Sequence, residues 1–158
     1  MLDGMYEGKM VSETMKLEYP IDDIWRLLCP VSEHDWIPGW ECRIVHTESG
    51  TNELGCVFQT DFPLDGPTDT WVTSVFEPPS RLEFIRTNSM RVIRYSIELE
   101  VIDGATQLQW SQRIIPLCLE GVELAEAKID SFASQIAGLK QMMNHYLDTG
   151  TMLNLIKE

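Results

Sequence analysis

The feature that most constrains this chain is a change of period. From Trp40 to Ile115 apolar and polar residues alternate in short runs, and from about Val122 to Leu147 apolar residues recur every three or four positions. Alternation marks strands with one buried face, and the longer period marks an amphipathic helix. Turn signals at Ser49-Gly50, Asp65-Gly66-Pro67, Pro78-Pro79 and Asp103-Gly104 divide the first region into an antiparallel meander of six strands. The stripe Ala125, Ile129, Phe132, Ile136, Leu139, Met143 and Tyr146 gives the helix a single apolar side, and Gly150 marks its stop.

Ahead of the meander, Val11 to Tyr19 reads as one more strand. Pro20 then opens an amphipathic helix over Ile21 to Leu28, with Asp22 and Asp23 in its first turn. Ser32 is placed to cap a second helical turn through Glu33, His34 and Asp35, before Pro38 and Gly39 break the chain. The first nine residues read as a loose lead-in, and Thr151 to Glu158 as a short tail whose Leu153 and Ile156 dock or fray. This order specifies an α+β fold in one domain, residues 1–158. A curved seven-stranded antiparallel sheet wraps a long C-terminal helix, with two short helices after strand one. Such a grip leaves a space between helix and sheet.

Charge and cysteine usage narrow the function. Lys+Arg 12 against Asp+Glu 25 gives a net charge of −13, which repels phosphate backbones and anionic lipid surfaces, so no nucleic-acid partner is expected. No apolar run approaches the roughly 18 residues of a membrane span, and Met1 to Gly4 lack a basic region followed by an apolar one. A soluble, cytoplasmic protein without membrane insertion is the expectation. Cys29, Cys42, Cys56 and Cys118 are scattered in a chain large enough to fold without disulfides, and read as free thiols. His34, His46 and His145 show no metal-ligand spacing, and neither a metal nor another cofactor is expected. There is no GxSxG elbow, GxGxxG fingerprint or P-loop. Nothing in the sequence sets the number of subunits, and a homodimer stays open.

The run Pro20-Ile21-Asp22-Asp23-Ile24-Trp25-Arg26-Leu27-Leu28, followed by Trp36-Ile37-Pro38-Gly39-Trp40 and Gly55-Cys56-Val57-Phe58-Gln59-Thr60, resembles the START-like helix-grip superfamily. It is similar in particular to the bacterial SRPBCC branch, which includes polyketide cyclase/dehydrase-like proteins. The resemblance covers essentially the whole chain. It implies the helix-grip fold, and a function among those of the superfamily: binding lipids, hormones, polyketides or quinones, or acting as a co-chaperone-type partner. It transfers no catalytic motif onto named positions.

Strand parity then selects candidate residues. Trp40, Cys42, Ile44 and His46 share one side, as do Cys56, Phe58 and Thr60, then Tyr95, Ile97, Leu99 and Val101, and finally Leu108, Trp110, Gln112 and Ile114. The strand of Trp71 is ambiguous because Val72 and Phe76 on its other side are apolar too. Trp71 is taken inward because an outward indole needs other cover. Trp71, Tyr95, Trp110, Phe132, Ile136, Leu139 and Met143 combine rigid aromatic walls with a flexible thioether, as an apolar pocket requires, although a packed core uses the same residues. Gln112 and Thr60, polar at inward positions, need a hydrogen-bond partner, either a ligand group or neighbouring backbone.

Trp36 and Trp40 either lock the second short helix in place or cover a ligand at the pocket mouth. His46 and Tyr95 are the candidates for proton transfer. His34 reads as a solvated loop residue, and His145 suits the negative end of the helix dipole. The expected function is binding of a small, largely hydrophobic ligand of lipid, polyketide or aromatic type. The alternatives are a cyclase or dehydratase using His46 or Tyr95, and a co-chaperone-like interaction module working through its acidic surface.

Overall fold

In the computed structural model, which describes residues 5–154, strand β1 (Lys9–Leu17) leads into a short helix, α1 (Ile21–Trp25), and a 3-10 turn (Ser32–Asp35). Six strands follow: β2 (Arg43–His46), β3 (Val57–Thr60), β4 (Asp69–Glu77), β5 (Arg81–Thr87), β6 (Arg91–Ile102) and β7 (Ala105–Pro116). The long helix α2 (Leu119–Thr149) comes last. Residues Met1 to Gly4 of the expected lead-in, and Ile156 of the expected tail, lie outside the described residues.

All neighbours in the sheet are antiparallel, in the order β1-β7-β6-β5-β4-β3-β2. The meander therefore runs from one edge inward, and β1 returns to close the other edge against β7. Helix α2 packs chiefly on β1 and β7. Its fully buried Phe132 and Met143, with Ile136, join Leu17, Leu108 and Ile114 in the core. One half of the sheet is thus covered by α2. The other half is faced by the segment that follows α1, and this unequal cover leaves the interior open.

Two glycines are required by geometry. A Cβ at Gly121 would lie 2.0 Å from the carbonyl oxygen of Met90, so only glycine lets the start of α2 pass the β5–β6 turn. Gly150 ends α2 in the left-handed region at φ +74°, its N–H donating to the Tyr146 carbonyl at 2.7 Å.

Several expectations are corrected. Ser32 does not cap the 3-10 turn; it is the first residue within it, and Val31 holds the cap position without a side-chain bond. Ile44 and His46 are exposed, because β2 is a four-residue edge strand with a register shift between them, and nothing packs over it. Val101 is exposed where β6 runs out toward its turn. A register shift between Thr73 and Val75 explains the ambiguity in β4. Trp71 and Thr73 point inward and Val72 outward, and beyond the shift Phe76 packs against Trp25 at 5.7 Å.

Candidate functional site

Strands β3 to β7 each contribute one aromatic ring to a continuous inner wall: Phe58, Trp71, Phe84, Tyr95 and Trp110. Cross-strand register brings them together. Phe58 stands opposite Trp71 and stacks on it at 5.1 Å; Phe84 stands opposite Tyr95; Tyr95 meets Trp110 edge-on at 6.1 Å. Facing this wall are Trp36, Ile37 and Trp40. The Trp36 indole donates to the Leu27 carbonyl and the Trp40 indole to the Pro30 carbonyl, each at 2.9 Å. The third side is the flank of α2 that carries Leu124, Lys128, Gln135 and Leu139. Together they enclose a cavity of about 930 Å³, open to solvent on one side and predominantly apolar. That volume is within the range of small-molecule sites, roughly 300–1,000 Å³.

One end of the cavity is charged. Arg86 donates from Nε and Nη2 to Asp69 Oδ2 at 2.9 and 2.6 Å, and from Nη2 to Asp65 Oδ2 at 2.7 Å. Arg91 donates to both Asp69 oxygens, at 2.6 and 2.8 Å, and Lys128 on α2 reaches Asp65 Oδ1. Arg86, Arg91, Asp65 and Asp69 are all buried, and the Arg86 guanidinium lies 3.9 Å above the Trp71 ring. Arg86, Asp65 and Lys128 border the cavity. Burial opposes the charge on Asp65, but Arg86 and Lys128 overcome it and hold its carboxyl below the usual range. Lys128 is itself held below the usual lysine range, by burial first and by Arg86 next.

Glu33 borders the cavity from the 3-10 turn, between Pro30 and Trp36. Among the described residues its carboxyl is in no hydrogen bond or ion pair, and desolvation pushes its pKa from 4.5 up to about 8. At neutral pH it is largely a carboxylic acid. Burial also pushes the Tyr95 phenol well above its ordinary value, so it remains a neutral hydrogen-bond donor. Gln112, opposite Tyr95 on β7, opposes that shift by hydrogen bonding to the phenol. The buried Trp110 Nε1 and Gln112 Oε1 have no partner among the described residues. Cys42 Sγ lies 3.4 Å from His34 Nε2, but burial holds the thiol above its usual pKa, so the pair supplies no thiolate.

Of the residues expected to contact a ligand, Trp71, Tyr95, Trp110 and Leu139 border the cavity, as do Trp40, Phe58 and Ile97 from the inward strand positions. Thr60 is buried beside it and accepts the Trp71 indole N–H at 2.9 Å, so a protein group meets its polarity. Gln112 is buried opposite Tyr95 on the neighbouring strand and does not border the cavity. Phe132, Ile136 and Met143 do not border the cavity, because α2 turns that stripe onto β1 and β7 and shows the cavity its more polar flank. His46 is on the exposed edge strand, away from it. Parity reasoning missed Glu33, Arg86 and Lys128. Arg86 did carry a signal, since it shares the inward side of its strand with Leu82 and Phe84. Glu33, in a 3-10 turn, had no periodic signal.

No protein-family model matches the chain, and no curated protein matches it in sequence. Solved structures do. The Zhui aromatase/cyclase from Streptomyces sp. R1128 superposes with a TM-score of 0.68 at 13% identity, over 93% of this chain and 100% of that one. Norcoclaurine synthase from Thalictrum flavum gives 0.67 at 14% identity, covering 90% and 88%. DynU16, from the dynemicin biosynthetic locus, gives 0.61 at 19% identity over 90% of this chain; the chain spans about half of that protein, 48%. At these identities the likeness defines the fold. The chain shares their fold, a helix grip in which a seven-stranded antiparallel sheet holds a long C-terminal helix. No described helix is long and apolar enough to cross a membrane.

Proposed function

We propose that this protein binds a small, largely hydrophobic molecule in the cavity between α2 and the sheet. The observation that carries the proposal is the aromatic-walled space of about 930 Å³ itself. A fold stabilised only by packing closes such a space, because each unfilled volume forfeits contacts. Here the Trp36 and Trp40 indoles are fixed by hydrogen bonds to backbone, and Trp40 meets Phe58 and Trp71 of the sheet at 6.4 and 6.2 Å, so the lining is anchored around the space. Aromatase/cyclase and synthase relatives of the same fold are consistent with a ligand in this place. The test is a panel of aliphatic acids and alcohols, polycyclic aromatics and quinones, read by thermal shift and native mass spectrometry on protein prepared without detergent. Saturable one-to-one binding with a rise in Tm supports the proposal. No stabilisation by any class overturns it.

A second reading is favoured by Glu33. A carboxylic acid titrating near neutrality beside a neutral phenol is suited to moving a proton at the carbon next to a carbonyl, with Tyr95 donating to the oxygen. Glu33 thus takes the position in that mechanism for which His46 was the sequence candidate. Deuterium exchange into benzoylacetone is the assay. Acceleration that falls about a hundredfold in Glu33→Gln supports acid–base catalysis, and exchange no faster than in buffer overturns it.

A further inference from the structure

Within the ion cluster at one end of the cavity three cations, Arg86, Arg91 and Lys128, pair with two carboxylates, Asp65 and Asp69, and donors outnumber acceptors; Glu120 and Glu123 border the same cavity outside these pairs. Arg86 is 4% exposed and uses Nε and Nη2 for the two carboxylates, while Nη1 has no hydrogen-bond partner among the described residues. Lys128 makes one hydrogen bond, to Asp65, and its ammonium carries three donors. Both residues border the cavity. The buried guanidinium nitrogen left without a partner among the described residues is Arg91 Nε, while Arg86 Nη1 and the spare Lys128 donors belong to residues that border the cavity, where a ligand's acceptor can reach them.

Building on the cavity as a ligand site, we infer that the ligand carries one carboxylate, seated on Arg86 Nη1 and Lys128 Nζ, with its apolar body along the aromatic wall. The carboxylate brings the cluster to three cations and three anions. Its two oxygens provide the acceptors that the guanidinium edge and the ammonium lack. Lys128 is held low first by burial and then by Arg86 and, more weakly, Arg91, and an added anion relieves the repulsion from the two arginines. The net charge of −13 does not forbid this, because exposed charges are screened beyond about 8 Å at physiological ionic strength. Of the other carboxylates that border the cavity, Glu33 is largely protonated at neutral pH, and Glu120 and Glu123 are solvent-exposed, where their charge is screened.

The test compares decanoate, decan-1-ol and decylamine, which share one tail, by titration calorimetry at pH 7. Decanoate is expected to bind at least about tenfold tighter than the alcohol. In Lys128→Met the preference for decanoate over the alcohol falls several-fold; Lys128→Arg preserves the preference, and Lys140→Met, on an exposed part of α2, leaves it unchanged. A readout that needs no variant is the carbon NMR titration of carbonyl-labelled decanoate, whose bound carboxyl is expected to titrate below its free value. Equal affinity for acid and alcohol, or a raised carboxyl pKa, overturns the seat and leaves the cavity reading intact. Tightest binding of the amine overturns it in favour of a cation on Glu33. If none of the three binds and the wider panel fails as well, the cavity reading and the seat fall together.

Discussion

Replacing Glu33 with Gln keeps the shape of the side chain and removes its ability to ionise, so it isolates what the desolvated carboxyl does to the fold. In the unfolded chain this group gives up its proton near 4.5; in the folded chain it holds the proton up to about 8. Between those values the folded state binds more protons than the unfolded one, so stability falls as pH rises, by about 1.4 kcal/mol per pH unit. The favourable contribution is complete below about pH 4.5 and lost by about pH 8. The shift from 4.5 to about 8 corresponds to about 5 kcal/mol. Glu33→Gln is therefore expected to match the wild type at pH 4.5 and to exceed its Tm by about 10 °C or more at pH 8.5. Differential scanning calorimetry of both proteins from pH 4.5 to 9 makes the comparison. Tm curves that stay parallel across that range would refute the reasoning, because a pH-independent offset reports packing and not a retained proton.

Other perturbations separate the core, the ion cluster and the cavity. Asp69→Ala leaves Arg86 and Arg91 without their shared carboxylate and is expected to cost about 3–5 kcal/mol in urea denaturation; a loss below 1 kcal/mol would contradict a buried, coupled cluster. Phe132→Ala, in the core and off the cavity, is expected to cost about 3–5 kcal/mol while decanoate affinity in the surviving folded protein stays within a few-fold. Leu139→Ala, which borders the cavity and is half-buried, is expected to do the reverse: about 1 kcal/mol of stability and several-fold in affinity. His46→Ala, on the exposed edge strand, is expected to change neither stability by more than about 0.5 kcal/mol nor binding, and a large loss of binding would restore it to the site.

The fold was legible because its signals are periodic and local. Alternation in β6 and β7 matches burial from Ile93 to Leu99 and from Leu108 to Ile114, and Gly150 stands where α2 stops. Alternation failed where a strand loses a neighbour or its register. At β2 there is no outer partner and no layer above, so parity at Ile44 and His46 says nothing about burial. In β4 the shift after Thr73 swaps sides within one strand. The site was legible only in part, because a helix stripe shows that a face is buried without showing against what. Phe132, Ile136 and Met143 meet β1 and β7, while polar Lys128 and Gln135 reach the cavity. The ion cluster joins β4, β5, β6, α2 and the turn at Asp65, and no spacing along the chain encodes such a meeting. Arg86 and Arg91 at inward positions among Leu82, Phe84, Ile93 and Tyr95 were its trace in the sequence, since a buried arginine needs a carboxylate somewhere.

The most direct test of the central claim is a crystal structure of the protein equilibrated with decanoate after detergent-free purification. Density for the alkyl chain against Trp71, Tyr95 and Trp110, between α2 and the sheet, is the result expected. A cavity that admits no ligand, or a space between α2 and the sheet that has closed and filled with protein side chains, would contradict it.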